Sequence, residues 1–225
     1  MSSATESTAG LEIISLLMKH YNRPSGLHNE TLLGAAAALA GESALLAAQS
    51  GGAAEGRLIT GKALRLIFSP VSSPVKSAVN SPVKSSGKTV WTIIRLVLRR
   101  EGIEIPLPDP EAAVKRVTDA LGSSPFPPLS IPVQYHPREW SPNACPNLRL
   151  KVNEIAARYD LDREGKTMAL GFALAYMLAK AGQMIDLQVA LTLVLETMIG
   201  VAHMPPLKQP LQAQEYLHYQ SQLMA

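Results

Sequence analysis

Seven prolines fall between Ser123 and Asn147, in SSPFPPLSIPVQYHPREWSPNACPN, and this stretch constrains the fold more than any other. Each proline lacks an amide donor and fixes φ, so the segment cannot run as a continuous helix or a central strand. Phe126, Leu129, Ile131, Val133, Tyr135 and Trp140 also make it too apolar for a solvated linker. The pattern predicts an extended strap lying across neighbouring elements, which argues against a domain boundary there.

On both sides of the strap helical period dominates and alternating strand patterns are scarce. GLEIISLLMKHY places Leu11, Ile14, Leu17 and Met18 on one face, a short amphipathic helix ending before Pro24. NETLLGAAAALAGESALLAAQSGG begins with Asn29 as its expected N-cap and stops at Gly51 and Gly52. Its stripe Gly34, Ala37, Ala38, Gly41 and Ala44 lets another helix approach closely, within the fold or between subunits. EGRLITGKALRLIF reads as a short helix or, at RLIT, a brief strand. GKTVWTIIRLVLRREG predicts a helix between Gly87 and Gly102, with Lys88, Thr92, Arg95 and Arg99 on one face.

In LPDPEAAVKRVTDALGSS, Asp109 fits an N-cap, Pro110 the first turn and Gly122 the stop. Beyond the strap, three more helices follow, the last capped by Asp186 and closed by Pro205 and Pro206. Thr167 to Ala202 reads as a buried helical hairpin, because Lys180, Asp186 and Glu196 cut it well short of a membrane span. Glu42 interrupts the Ala-rich run in the same way, so no span is expected.

With 225 residues, 47% of them apolar, the chain can bury a substantial core. The expectation is an all-α fold, a single compact domain over 1–225 with seven to nine helices. A Ser-Pro connector spans 69–88, the strap 123–147, and a C-terminal helix over 207–225 is expected to dock or fray. MSSATESTAG lacks the basic start of a secretory signal. The single cysteine, Cys145, excludes an internal disulfide framework and agrees with a reducing, cytoplasmic setting.

Charge is unevenly spread. Nine basic residues and no acidic one lie between Arg57 and Arg100, while the whole chain is only +3, so the rest sums to −6. The candidate anion-binding residues are Lys62, Arg65, Lys76, Lys84, Lys88, Arg95, Arg99 and Arg100. The competing expectation is that these cations pair with Asp119, Glu154, Asp160 or Glu164, or line a solvated face. Beyond Phe68, only Trp91 interleaves with them, so no stacking platform for single strands is expected. Within the connector, Ser73-Pro-Val-Lys76 and Ser81-Pro-Val-Lys84 resemble proline-directed kinase sites, and phosphates there would cancel much of the local field.

Motifs for catalysis are mostly missing. No dinucleotide fingerprint, phosphate loop, Gly-x-Ser-x-Gly or His-Glu-x-x-His occurs. Glu215 and His218 make one Glu-x-x-His pair where a di-iron bundle needs two, and Glu196 needs a partner such as Lys180, Arg158 or His203. The most site-like cluster is Tyr135, His136, Arg138, Glu139, Trp140 and Cys145 on the strap, where His136 would have to activate the Cys145 thiol. Cys145 precedes Pro146 without an obvious helix N-terminus to help it.

Three functions follow, in order of preference. The first is a non-enzymatic helical protein acting through a protein partner or itself, as a homo-oligomer, with no cofactor or metal. The second is a polyanion binder, for nucleic acid or phosphate, using 57–100. The third is an enzyme centred on His136, Glu139 and Cys145.

Overall fold

The computed structural model describes residues 3–24, 26–49, 56–68, 88–121, 123 and 126–211. Among these, eight α-helices occur and no strand. They are α1 (Ser3–Tyr21), α2 (Asn29–Gln49), α3 (Gly56–Ile67), α4 (Val90–Arg100), α5 (Pro110–Asp119), α6 (Ala144–Arg158), α7 (Arg163–Ala181) and α8 (Leu187–Ala202). The all-α expectation therefore holds, and the ambiguous RLIT belongs to helix α3.

The Ala-rich helix is the axis of the fold. Every residue of α2 from Glu30 to Leu45 is buried, so over this length it has no solvent-exposed face, as befits a helix enclosed by others. Helices α7 and α8 pack on it, joined by α3 and α6, while α1 and α4 lie on α7 and α5 on α8. By length and composition α2 could cross a membrane, but 89% of its most apolar window is buried inside this fold.

The small-residue stripe has an internal use. A Cβ on Gly41 would collide with the backbone of Met198 in α8, and one on Gly34 with Ser141 of the strap. The expected α7–α8 hairpin takes a different form, because both helices pack against α2 far more than against each other. Sequence adjacency suggests a hairpin, but α2, buried on every side and mostly apolar, offers both helices more surface to bury.

In α1 the buried face is Glu6, Ala9, Gly10, Ile13, Leu17 and Tyr21, whereas Leu11 and Met18 are 51% and 44% exposed. The helix is thus rotated from the expected face. Ala9 and Gly10 explain it, since a Cβ on Gly10 would stand only 2.8 Å from the Ala169 carbonyl oxygen of α7. Close approach through small residues outweighs the transfer of one leucine.

Caps set the helix ends. His28 rather than Asn29 caps α2, its Nδ1 accepting from the Thr31 amide at 3.3 Å. Thr89 caps α4 by accepting from the Thr92 amide at 3.1 Å, and Gly102, at φ +73°, carries the chain away after α4. Asp109 and Asp186 cap α5 and α8 as expected.

Two buried carboxylates tie the layers together. Glu42, in the middle of α2, accepts from Arg149 of α6 through Nε at 2.8 Å and Nη2 at 2.6 Å. This forked geometry suits a guanidinium, and losing either partner of such a pair costs about 3–5 kcal/mol. Glu196 of α8 accepts from Arg116 Nε of α5 at 3.0 Å and from the amide and hydroxyl of Ser130 at 2.7 and 2.6 Å. Its expected partners are occupied elsewhere or exposed: Arg158 meets Glu12, His203 donates to the Ile199 carbonyl, and Lys180 faces solvent.

The strap crosses this assembly as irregular chain with two single-turn 3-10 helices, Val133–Tyr135 and Ser141–Asn143. Of the C-terminal helix expected over 207–225, residues 212–225 lie outside the described residues, and 207–211 are docked but not helical. Leu207 is buried, its carbonyl accepts from Arg149 at 2.7 Å, and the Asn143 side-chain amide exchanges two hydrogen bonds with the backbone of Leu211.

Candidate functional site

The strap cluster does not form a catalytic constellation. His136 Nε2 donates to the Ile131 carbonyl at 3.1 Å, Trp140 Nε1 donates to the Phe126 carbonyl at 2.8 Å, and Glu139 meets Arg23 at 3.2 Å in solvent. Arg138 contributes its backbone, donating to Thr31 Oγ1 of α2 at 2.9 Å. Tyr135 is half-buried against the core. The His136 and Trp140 bonds close the strap on itself, the Arg138 amide ties it to α2, and none joins His136 to Cys145.

Cys145 lies in the first turn of α6, a helix N-terminus that the sequence did not make obvious. A helix N-terminus lowers a thiol pKa, but this thiol is pushed well above its ordinary value, first by complete burial and then by the Glu42 carboxylate, which outweigh Arg149. It stays protonated and shielded, the opposite of an activated nucleophile.

The basic segment is placed differently. Lys88 leaves the expected face: it precedes the Thr89 cap, pairs with the buried Glu6 of α1, and stands 5.5 Å from the Phe172 ring centroid. A buried carboxylate needs a cation, and Glu6 takes the nearest one. Lys76 and Lys84, with the Ser-Pro triplet, lie outside the described residues, as do Glu215 and His218. Among the described residues no cluster of histidine, cysteine and carboxylates suits a metal ion.

Lys62 and Arg65 of α3 and Arg95, Arg99 and Arg100 of α4 are all exposed. None of these five makes an ion pair with an acidic side chain among the described residues, and α3 touches α4. The expected neutralising partners do not reach them; Asp119, for example, pairs with Lys115 of its own helix at 2.5 Å. Trp91 turns into the core at 8% exposure and Phe68 packs against it, so no aromatic platform accompanies the cations.

A groove of about 390 Å³ opens beside Arg95 and Arg99. Leu98, Ile103, Ile105, Pro106 and Leu107 supply its apolar lining, and Glu104 is its one acidic side chain. Sequence reasoning missed it because Pro106 interrupts 103–107 as a strand and the segment lacks the period of a helix. The alternation in IEIPL, with Ile103, Ile105 and Leu107 inward and Glu104 and Pro106 exposed, was the available signal.

No protein-family profile, curated protein or solved structure matches the chain.

Proposed function

We propose that this protein is a non-enzymatic helical binding module that captures an anionic macromolecule through the exposed cations of the adjoining helices α3 and α4. The observation that carries this reading is the set of five exposed cations, Lys62, Arg65, Arg95, Arg99 and Arg100, none neutralised by an acidic neighbour among the described residues. Exposed cations in excess of the nearby Glu101 and Glu104 steer and hold anions. The strap supports no competing enzymatic reading, since His136 is committed to a backbone carbonyl and Cys145 is protonated. The homo-oligomer expectation drew on α2 and on α7–α8, whose apolar surfaces are spent inside the fold.

Binding to immobilised heparin or duplex DNA across a salt series tests the proposal. If all five cations engage, log affinity falls with log salt at a slope of about −4. A flat salt dependence contradicts it.

A further inference from the structure

The groove beside α4 identifies the kind of partner. From Ile103 to Leu107 burial alternates residue by residue in a segment that is neither helix nor strand, and Pro106 and Pro108 favour extended backbone at Ile105 and Leu107, the residues before them; the amides of Glu104, Ile105 and Leu107 donate to no protein acceptor among the described residues. An extended segment with unpaired backbone groups is a template for a second strand. Pro106 and Pro108 remove donors from the edge that Glu104 shares, leaving Ile105 and Leu107 donors on the opposite edge.

Arg95 and Arg99 stand one helical turn apart, which sets their side-chain bases about 6 Å from each other. On an extended chain, side chains two residues apart are spaced by about 7 Å. Two carboxylates at alternate positions therefore match the two guanidiniums, with intervening side chains turned to the apolar lining. At about 390 Å³ the groove admits a few side chains of a single extended segment, which a duplex backbone does not offer.

We propose that the groove formed by Arg95, Arg99 and the extended segment 103–107 binds an extended acidic peptide of a partner protein, with carboxylates alternating with apolar residues. This rests on the reading of α4 as a binding face, and it goes further in naming a protein segment rather than a nucleic acid. Glu104, exposed at the rim and unpaired with either arginine, opposes such a ligand and limits its affinity.

The test is fluorescence anisotropy of the full chain with a labelled Gly-Gly-Glu-Leu-Glu-Leu-Gly-Gly peptide. Controls are its isomer Gly-Gly-Glu-Glu-Leu-Leu-Gly-Gly and a backbone N-methylated version. Saturable binding of the alternating peptide is expected, at least about tenfold weaker in an R95E, R99E variant, whose positions are exposed and whose fold is checked by circular dichroism. Glu104→Gln is expected to tighten binding about two- to fivefold, a gain that damage to the fold would not produce. The isomer and the N-methylated peptide are expected to bind more weakly. Equal binding by the double variant, or no binding while heparin and duplex DNA are still retained, overturns the peptide proposal and leaves the anion-binding face standing. Loss of both overturns the two together.

Discussion

Single side chains decide most of what this molecule is prevented from doing. Cys145 and His136 sit nine positions apart, close enough in sequence to suggest a nucleophile and its base. Burial and the Glu42 carboxylate keep the thiol protonated, so native protein at pH 8 should resist iodoacetamide over a period that consumes a free thiol, and become reactive only on unfolding. Rapid modification of the folded chain would contradict that environment. His203 makes a second prediction. Burial holds its imidazole below the ordinary value of 6.5, against a weaker opposing effect of its bond to the Ile199 carbonyl. The unfolded chain therefore takes the proton first, so this stabilising contribution is intact above pH 6.5 and is lost as pH falls below it. The stability advantage of wild type over His203→Gln should shrink between pH 7.5 and 5, measured by urea unfolding; a constant difference would refute it.

At the scale of helices, α2 organises the rest through what it lacks. Gly41 brings its backbone against Met198 of α8, where a methyl group has no room. Gly41→Ala should destabilise the protein by about 1–3 kcal/mol in chemical denaturation, despite alanine's better helix propensity. An unchanged or raised midpoint would show that the α2–α8 contact is looser than described. Helix punctuation was legible in the sequence wherever a cap is local: Asp109, Pro110 and Asp186 act where their side chains suggest. Faces and partners were less legible, because they depend on contacts distant along the chain. Leu11 and Met18 lost the inner face of α1 to Ala9 and Gly10, and α7 and α8 pack on α2 more than on each other. Glu196 found Arg116, 80 residues away, rather than a cation near it in sequence.

For the whole molecule, the charge asymmetry of the sequence survives folding in reduced form. Lys88 is drawn inward by Glu6, a pairing that a reading of α1 starting at Gly10 could not foresee. Lys62, Arg65, Arg95, Arg99 and Arg100 remain outside, without the acidic partners that would have made them ordinary surface. The groove next to them was less legible still, since a five-residue extended segment carries little periodic signal. The architecture thus separates two tasks: apolar helices and buried ion pairs hold the fold, while α3 and α4 present charge. The most direct test is retention of full-length protein on a heparin column in a rising salt gradient, beside an R95E, R99E variant of equal circular dichroism. The account predicts salt-dependent retention of the wild type and early elution of the variant. Elution of both together, in the void or at the same salt, would contradict it.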